Sequence, residues 1–306
     1  MPDPDSSSRP FSWRRLYDAP WLLFFMAPLF WSGNFVLGRA VAGEIPPVGL
    51  AFWRWTVGCL IVLPFAWPHL RRDLREFVRR WPTVLVLSAA GIAGFNTFVY
   101  IGLQDTTALN AVMMQSTMPI AIVAASFLLF GERVGPLQGL GILVSLSGVG
   151  VIVARGDWGT LAGLAFNRGD LWILAAVVSY ALYTALLRRR PVVHPLSLLA
   201  GTFGLGAVML LPLLAWEMAS GRVMPATPAA FGAVAYVAVF PSVLAYFCFN
   251  RTVELIGANR TGLSVHLMPV FGTLMAIAFL GESLRWYHGA GVALIAAGIV
   301  LAGRRR

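Results

Sequence analysis

Asn96 and Tyr100 stand four residues apart, and 150 residues further on Tyr246 and Asn250 repeat the pair in reverse order. Residues four apart share a helix face, so each copy presents one amide and one phenol on the same side. Both segments are otherwise apolar, and amides or phenols in hydrocarbon need partners or a wet cavity. A cavity lining and a helix-to-helix hydrogen bond both meet that need. At an offset of 149, Trp31 pairs with Tyr180 and Asn34 with Tyr183. A further set precedes two prolines: Gln115, Ser116 and Thr117 before Pro119, and Ser264 and His266 before Pro269. A proline inside a helix removes the bond to the carbonyl four residues earlier, here Gln115 and Val265. Each proline therefore bends its helix and turns polar backbone inward. Such groups can hold a flat solute that makes hydrogen bonds, which is binding rather than bond-breaking chemistry. There is no HExxH, no acid pair lies within an apolar run, and His69, His194 and His288 fall at the edges of such runs. No catalytic set, metal site or cofactor is expected, and the absence of G-x-x-x-x-G-K-[ST] speaks against direct drive by ATP.

Two groups could carry charge in the apolar region. Arg54 interrupts one run, and its counterpart at an offset of 148 is the neutral Thr202. An intramembrane charge is a functional candidate by default: Arg54 could hold a substrate carboxylate. It also stands about 10 Å from its span end at 1.5 Å per residue, so snorkelling or pairing with Glu44 or Asp105 is the structural alternative, and the one favoured here. His266 is the one group titrating near neutral pH close to a span middle, although a lone histidine is more often a hydrogen-bonded structural residue. All 13 acids lie at span ends, in loops or in the N-terminal tail. The usual intramembrane proton carrier is missing, and facilitated diffusion or exchange stands beside proton antiport.

The elements that position these residues follow from composition. Of 306 residues 58% are hydrophobic and only 12% are charged, with a mean hydropathy of +0.75, so lipid is the solvent for most of the chain. The basic residues number 23, all arginine, and the net charge is +10. They fall in short clusters between apolar runs, which argues against a nucleic-acid surface. Cys59 and Cys248 lack the spacing of a disulfide or metal motif. About 20 apolar residues span a bilayer, and ten runs qualify, within residues 19–38, 45–70, 81–104, 106–131, 134–154, 171–187, 191–216, 223–250, 261–281 and 286–303. Trp21, Trp67, Trp81, Trp172, Trp216 and Trp286 stand near span ends as interfacial anchors. With the N-terminus cytoplasmic, 17 arginines fall on that side, including Arg71, Arg72, Arg75, Arg79, Arg80 and Arg188 to Arg190, against five opposite. The positive-inside rule then places both termini in the cytoplasm.

The chain also repeats itself. Residues 100–155 match a second copy at an offset of 150 without gaps: Ala108, Met118, Pro119, Gly131, Glu132, Gly139, Gly141, Gly148 and Arg155 recur as Ala258, Met268, Pro269, Gly281, Glu282, Gly289, Gly291, Gly298 and Arg305. The repeating unit is five spans, and an odd number forces the second copy to enter from the opposite side. The expected organisation is a cytoplasmic tail over 1–20, one half over 21–156, an inverted half over 157–303 and a basic end at 304–306. In such inverted repeats a site lies near the midplane between the halves, lined here by spans 1, 3, 4, 6, 8 and 9. Small residues in the fifth and tenth spans predict close packing within the chain, so a monomer is favoured.

On Trp31-Ser-Gly-Asn34, Arg54, Pro119 with Gly131-Glu132, and Pro269 with Gly281-Glu282, the sequence resembles the ten-helix EamA-type branch of the drug/metabolite transporter superfamily. Within it the chain is most similar to YddG-type exporters of aromatic amino acids. The resemblance implies an all-α membrane protein of two five-helix halves around a central cavity, which moves a small metabolite out across the bacterial inner membrane by alternating access. Amphiphilic amino acids are the first substrate class implied, and drugs, purines or sugar-like metabolites the alternative.

Overall fold

The structure is a computed structural model and describes residues 16–154, 157, 159, 167–280 and 285–303. Arg9, Arg14, Arg15, Arg155, Gly281, Glu282 and Arg304 to Arg306 lie outside the described residues. Among the described residues every regular element is helical. The elements are α1 (Pro20–Ala40), α2 (Pro47–Arg79), α3 (Trp81–Asp105), α4a (Ala108–Gln115), α4b (Met118–Phe130), α5 (Pro136–Val153), α6 (Arg168–Leu186), α7 (Pro195–Ala219), α8 (Pro228–Ile256), α9a (Ala258–Gly262), α9b (Met268–Leu280) and α10 (Trp286–Gly303). Eight of them are long and apolar enough to cross a membrane: α1, α2, α3, α5, α6, α7, α8 and α10. The fourth and ninth apolar runs are not the continuous spans their hydropathy implies. A turn at residues 116–117 separates α4a from α4b, and a 3-10 turn, Leu263–Leu267, separates α9a from α9b. Pro119 and Pro269 therefore sit in the first turn of a new helix, where the missing N–H costs nothing, rather than in a helix interior.

The second helix also departs from its apolar run. It continues nine residues past the run through Arg71, Arg72, Arg75 and Arg79, which hydropathy alone assigns to a loop. Nothing after Pro68 breaks a helix, and Glu76 pairs with Arg79 and Arg80 along it. The six tryptophans expected at interfaces are all exposed. Gly131 ends α4b at φ 67, a left-handed position that only glycine adopts without strain. The neighbouring Glu132 pairs with Arg188 at 3.1 Å.

Helix contacts between the halves occur in exchange-related sets. The α1–α8 contact matches α6–α3, α1–α9b matches α6–α4b, and α2–α7 and α5–α10 each join equivalent helices. Equivalent helices run antiparallel. Glu217, near the end of α7, accepts from the Val48 and Gly49 N–H at the start of α2, while Asp73, near the far end of α2, accepts from the His194 N–H ahead of α7. Helices α5 and α10 cross at their glycines: a Cβ on Gly148 would stand 2.7 Å from the Gly291 carbonyl oxygen, and one on Gly298 would stand 2.5 Å from that of Gly141. In hydrocarbon, where lipid tails are as apolar as leucine, this backbone proximity supplies the packing that holds a helix pair.

Candidate functional site

Two features of α3 and α8 build the site. Each helix contains a wide π turn, Ser88–Gly94 in the first and Val239–Leu244 in the second, ending 150 residues apart like the repeat itself. A π turn holds one residue more than an α turn and leaves carbonyls without their usual partners, which is why such turns gather at functional positions. The carbonyls of Gly91 and Pro241 occupy matching places in the two turns, and both accept side-chain donors from other helices. Tyr246 donates to Gly91, whereas Trp31 and Arg54 both donate to Pro241, each at 2.9 Å. Gly91 lacks the Cβ that would collide with the Tyr183 ring packed on its turn.

Beyond the π turns the amide–phenol pairs meet their partners. The Tyr100 hydroxyl donates to Asn34 Oδ1 at 2.9 Å, tying α3 to α1. In the second half the Tyr183 hydroxyl donates to Asn250 Oδ1 at 2.8 Å, tying α6 to α8. Asn34 corresponds to Tyr183 and Tyr100 to Asn250, so one intra-half bond is made twice with amide and phenol exchanged. The first tie lies toward the arginine-poor end of the bundle and the second toward the arginine-rich end.

Arg54 joins the first tie, in an environment that corrects the snorkelling expectation. The side chain is 0% exposed and points into the bundle. Its Nη1 donates to Asn34 Oδ1 and the Tyr100 hydroxyl, both at 2.8 Å, and its Nε donates to Ser242 Oγ at 2.6 Å. The guanidinium also lies 4.8 Å from the centroid of the Trp55 ring. Neither Glu44 nor Asp105 forms an ion pair with it among the described residues. Position 54 falls on the buried stripe of α2 with Ala51, Trp55 and Gly58, and the path to solvent is closed by packing.

Between the ties lies an aromatic cluster. The Trp31 ring meets Tyr180, Tyr246 and Phe249, and Tyr246 also meets Trp55, Tyr183 and Phe203. Edge-on ring pairs add about 0.5–1.5 kcal/mol each beyond their burial. Within the cluster several fully buried polar atoms have no hydrogen-bond partner: both side-chain atoms of Asn96, the Tyr180 hydroxyl and the Trp55 indole N–H. The Asn96 amide faces the Tyr246 hydroxyl without reaching hydrogen-bonding geometry. Each orphaned group costs about 1–3 kcal/mol, and native structures leave few of them.

The broken helices meet on the repeat axis. His266 Nε2 lies 2.8 Å from the Ser116 carbonyl oxygen, its own repeat equivalent, and Nδ1 lies 2.7 Å from Ser145 Oγ. The Ser116 carbonyl, one residue beyond Gln115, is thus the one that receives a side-chain donor. Gln115 and Ser264 are buried beside this contact, with Gln115 Nε2 and Ser264 Oγ unpartnered. Toward the arginine-rich end, Asn250 borders a small cavity of about 110 Å³ shared with Tyr17, Arg190, Arg251 and Glu254. Glu254 pairs with both arginines there, and Arg251 also pairs with Asp18. A larger apolar groove of about 660 Å³ runs along the flank between α1, α9b and α10.

The structure therefore gathers Trp31, Asn34, Asn96, Tyr100, Tyr180, Tyr183, Tyr246 and Asn250 around one axis, and places Gln115, Ser116, Ser264 and His266 in a neighbouring cluster. Missing from the expected lining are α2 and α7, which contribute Trp55 and Phe203, and the π-turn groups Gly91, Pro241 and Ser242. Gly91 and Pro241, both poor at continuing a regular helix, were the available signal.

Comparison with known proteins gives a consistent picture. The model of the EamA-like transporter family matches residues 19–154 and again 167–304. The chain is similar to the uncharacterized transporter YyaM of Bacillus subtilis, 28% identical over 90% of both chains. It is also similar to an uncharacterized transporter of Archaeoglobus fulgidus, 27% identical over 92% of this chain and 96% of the relative, and to the uncharacterized transporter sll0355 of Synechocystis, 29% identical over 92% and 89%. One crystal structure superimposes with a TM-score of 0.73 at 23% identity, covering 93% of this chain and 96% of the other, a likeness of fold.

Proposed function

We infer that this chain, which belongs to the EamA-like transporter family, carries a small amphiphilic metabolite through the axis between its two halves by alternating access. The observation that carries the reading is the doubled tie. Tyr100–Asn34 closes one side of the aromatic cluster and Tyr183–Asn250 closes the other, so opening either one alone gives the cluster access to one face only. The conformation described here has both ties made.

The ten-span, inverted-repeat organisation belongs to the same reading. Antiparallel packing of equivalent helices supports it, and α4a–α4b and α9a–α9b serve as the two broken crossings. Broken helices near the midplane between repeats are where such carriers place their sites. The arginine asymmetry supports cytoplasmic termini in a bacterial inner membrane. The boundaries at 21–156 and 157–303 follow the halves. An aromatic box with unpaired amide and hydroxyl groups suits an aromatic or amphiphilic amino acid, and the resemblance to YddG-type exporters supports outward movement.

Flux of labelled aromatic amino acids into proteoliposomes tests the reading. Asn96→Ala and Tyr246→Phe are expected to cut saturable uptake about tenfold, one buried hydrogen bond's worth, with folded protein still in the membrane. Unchanged flux in both variants would return these side chains to a packing role.

A further inference from the structure

Among the described residues, Arg54 is a cation without a counter-ion. It is fully buried, its four hydrogen bonds all go to neutral oxygens, and none of the ion pairs among the described residues includes it. Removing one partner of a buried ion pair typically destabilises a protein strongly, because the surviving charge is left uncompensated. Here that costly condition is the resting one.

The scaffold does not need the charge. Each oxygen that receives an Arg54 hydrogen bond is in a second bond without it: Tyr100 donates to Asn34, Trp31 donates to the Pro241 carbonyl, and Ser242 donates to the Val237 carbonyl. The second half closes the equivalent tie with the neutral Thr202 in the corresponding place, its hydroxyl bonded within its own helix. A guanidinium has five N–H donors, and four are engaged, which leaves one Nη2 hydrogen for a ligand. The Trp55 ring lies 4.8 Å from the guanidinium, and the unpartnered Asn96 amide, Tyr180 hydroxyl and Trp55 indole N–H are all buried on the aromatic cluster.

We propose that the missing counter-ion is the substrate: Arg54 holds the carboxylate of a molecule whose flat apolar body lies among Trp31, Trp55, Tyr180 and Tyr246. This rests on the carrier reading above and narrows it to aromatic carboxylates, amino acids included. In an amino acid the ammonium group is met by the Asn96 carbonyl oxygen and the ring faces, which attract cations. Since Asn34, Arg54 and Tyr100 belong to one half and Pro241 and Ser242 to the other, a carboxylate at Arg54 also acts on the seam that must part.

The test compares acids with their uncharged or cationic analogues on the full-length protein in detergent, read as thermal stabilisation. The probes are phenylalanine, 3-phenylpropionate, phenylalaninamide and 2-phenylethylamine. The two acids are expected to bind about tenfold to a hundredfold more tightly than the amide and the amine, as loss of a charged hydrogen bond implies. Arg54→Gln should abolish that preference, Arg54→Lys should keep it in weakened form, and Thr202→Ala should leave it intact. Equal stabilisation by acid and amide, no stabilisation by any of the four, or an undiminished preference in Arg54→Gln overturns the proposal. Should Arg54→Gln fail to fold, the comparison of acid with amide on the unaltered protein decides alone. Counterflow of a wider solute panel in liposomes separates the two levels: exchange of a sugar or purine with no preference for acids leaves a carrier without an anion site, whereas exchange of nothing removes the carrier reading as well.

Discussion

The two ends of the aromatic cluster are built on one plan and finished differently. At the arginine-poor end the Tyr100–Asn34 bond encloses a buried guanidinium that forms no ion pair among the described residues. At the arginine-rich end the Tyr183–Asn250 bond stands free of charge in the core, and the charges sit outside it as a partly exposed network of Arg190, Arg251, Glu254 and Asp18. Partly exposed ion pairs contribute about 0–1 kcal/mol each and part easily. A desolvated cation without a partner instead waits for one. Duplication thus accounts for the geometry of both ends, and divergence at positions 54 and 202 accounts for their chemistry.

The comparison can be broken most severely by making the ends alike. Thr202→Arg puts a second uncompensated cation into the core, and an expected loss of about 3–5 kcal/mol would appear as a collapsed melting temperature in detergent. Removing the cation has the opposite balance. Arg54→Met is expected to cut transport about a hundredfold while the melting temperature holds or rises, because the Arg54 partners retain second bonds and apolar replacement of buried charge is often neutral or stabilising. A melting temperature that fell along with transport would make Arg54 a scaffold residue. Smaller effects follow from the ties themselves. Tyr100→Phe and Tyr183→Phe should each cost about 1 kcal/mol in chemical unfolding, but only Tyr100→Phe should also weaken binding of a carboxylate, since its hydroxyl accepts from Arg54.

The mildest difference concerns the pair α2 and α7. At one end Glu217 holds the start of α2. At the other the rings of His69 and His194 stack 3.7 Å apart beside Asp73, and His194 Nδ1 accepts from the Leu196 N–H. Burial and the neighbouring His69 hold the His194 imidazole below its ordinary value of 6.5, against the pull of Asp73. A base with a lowered folded pKa stabilises the fold above its unfolded value and loses that contribution as pH falls. Amide hydrogen exchange around residues 194–198 should accordingly quicken between pH 7.5 and 5.5, after correction for intrinsic rates, while residues 48–49 stay protected. His194→Asn, which still caps the helix, should remove the difference.

Much of this is legible in the sequence. The amide–phenol reversal at 96, 100, 246 and 250 could be seen because a four-residue spacing survives on any regular helix, and the prolines at 119 and 269 mark their breaks by chemistry that does not depend on context. The neighbours of Arg54 were hidden, because Pro241 and Ser242 are brought to it by another helix almost 190 residues away. Its burial was hidden too: distance along one helix says nothing of what covers its side. The contributions of Trp55 and Phe203 were lost for the same reason, since tryptophan and phenylalanine serve equally well facing lipid.

The π turns carry a mechanical consequence. An α-helix advances 100° per residue, 3.6 to the turn, so a single surplus residue is a stored twist of about that size. It sits just ahead of Asn96 and Tyr100 in one half and of Tyr246 and Asn250 in the other. Were either surplus to migrate along its helix, the residues it passed would rotate as a block, and the amide and phenol of that end would swing away from their partners while the other end kept its grip. Each half would then carry its own ratchet, one residue deep.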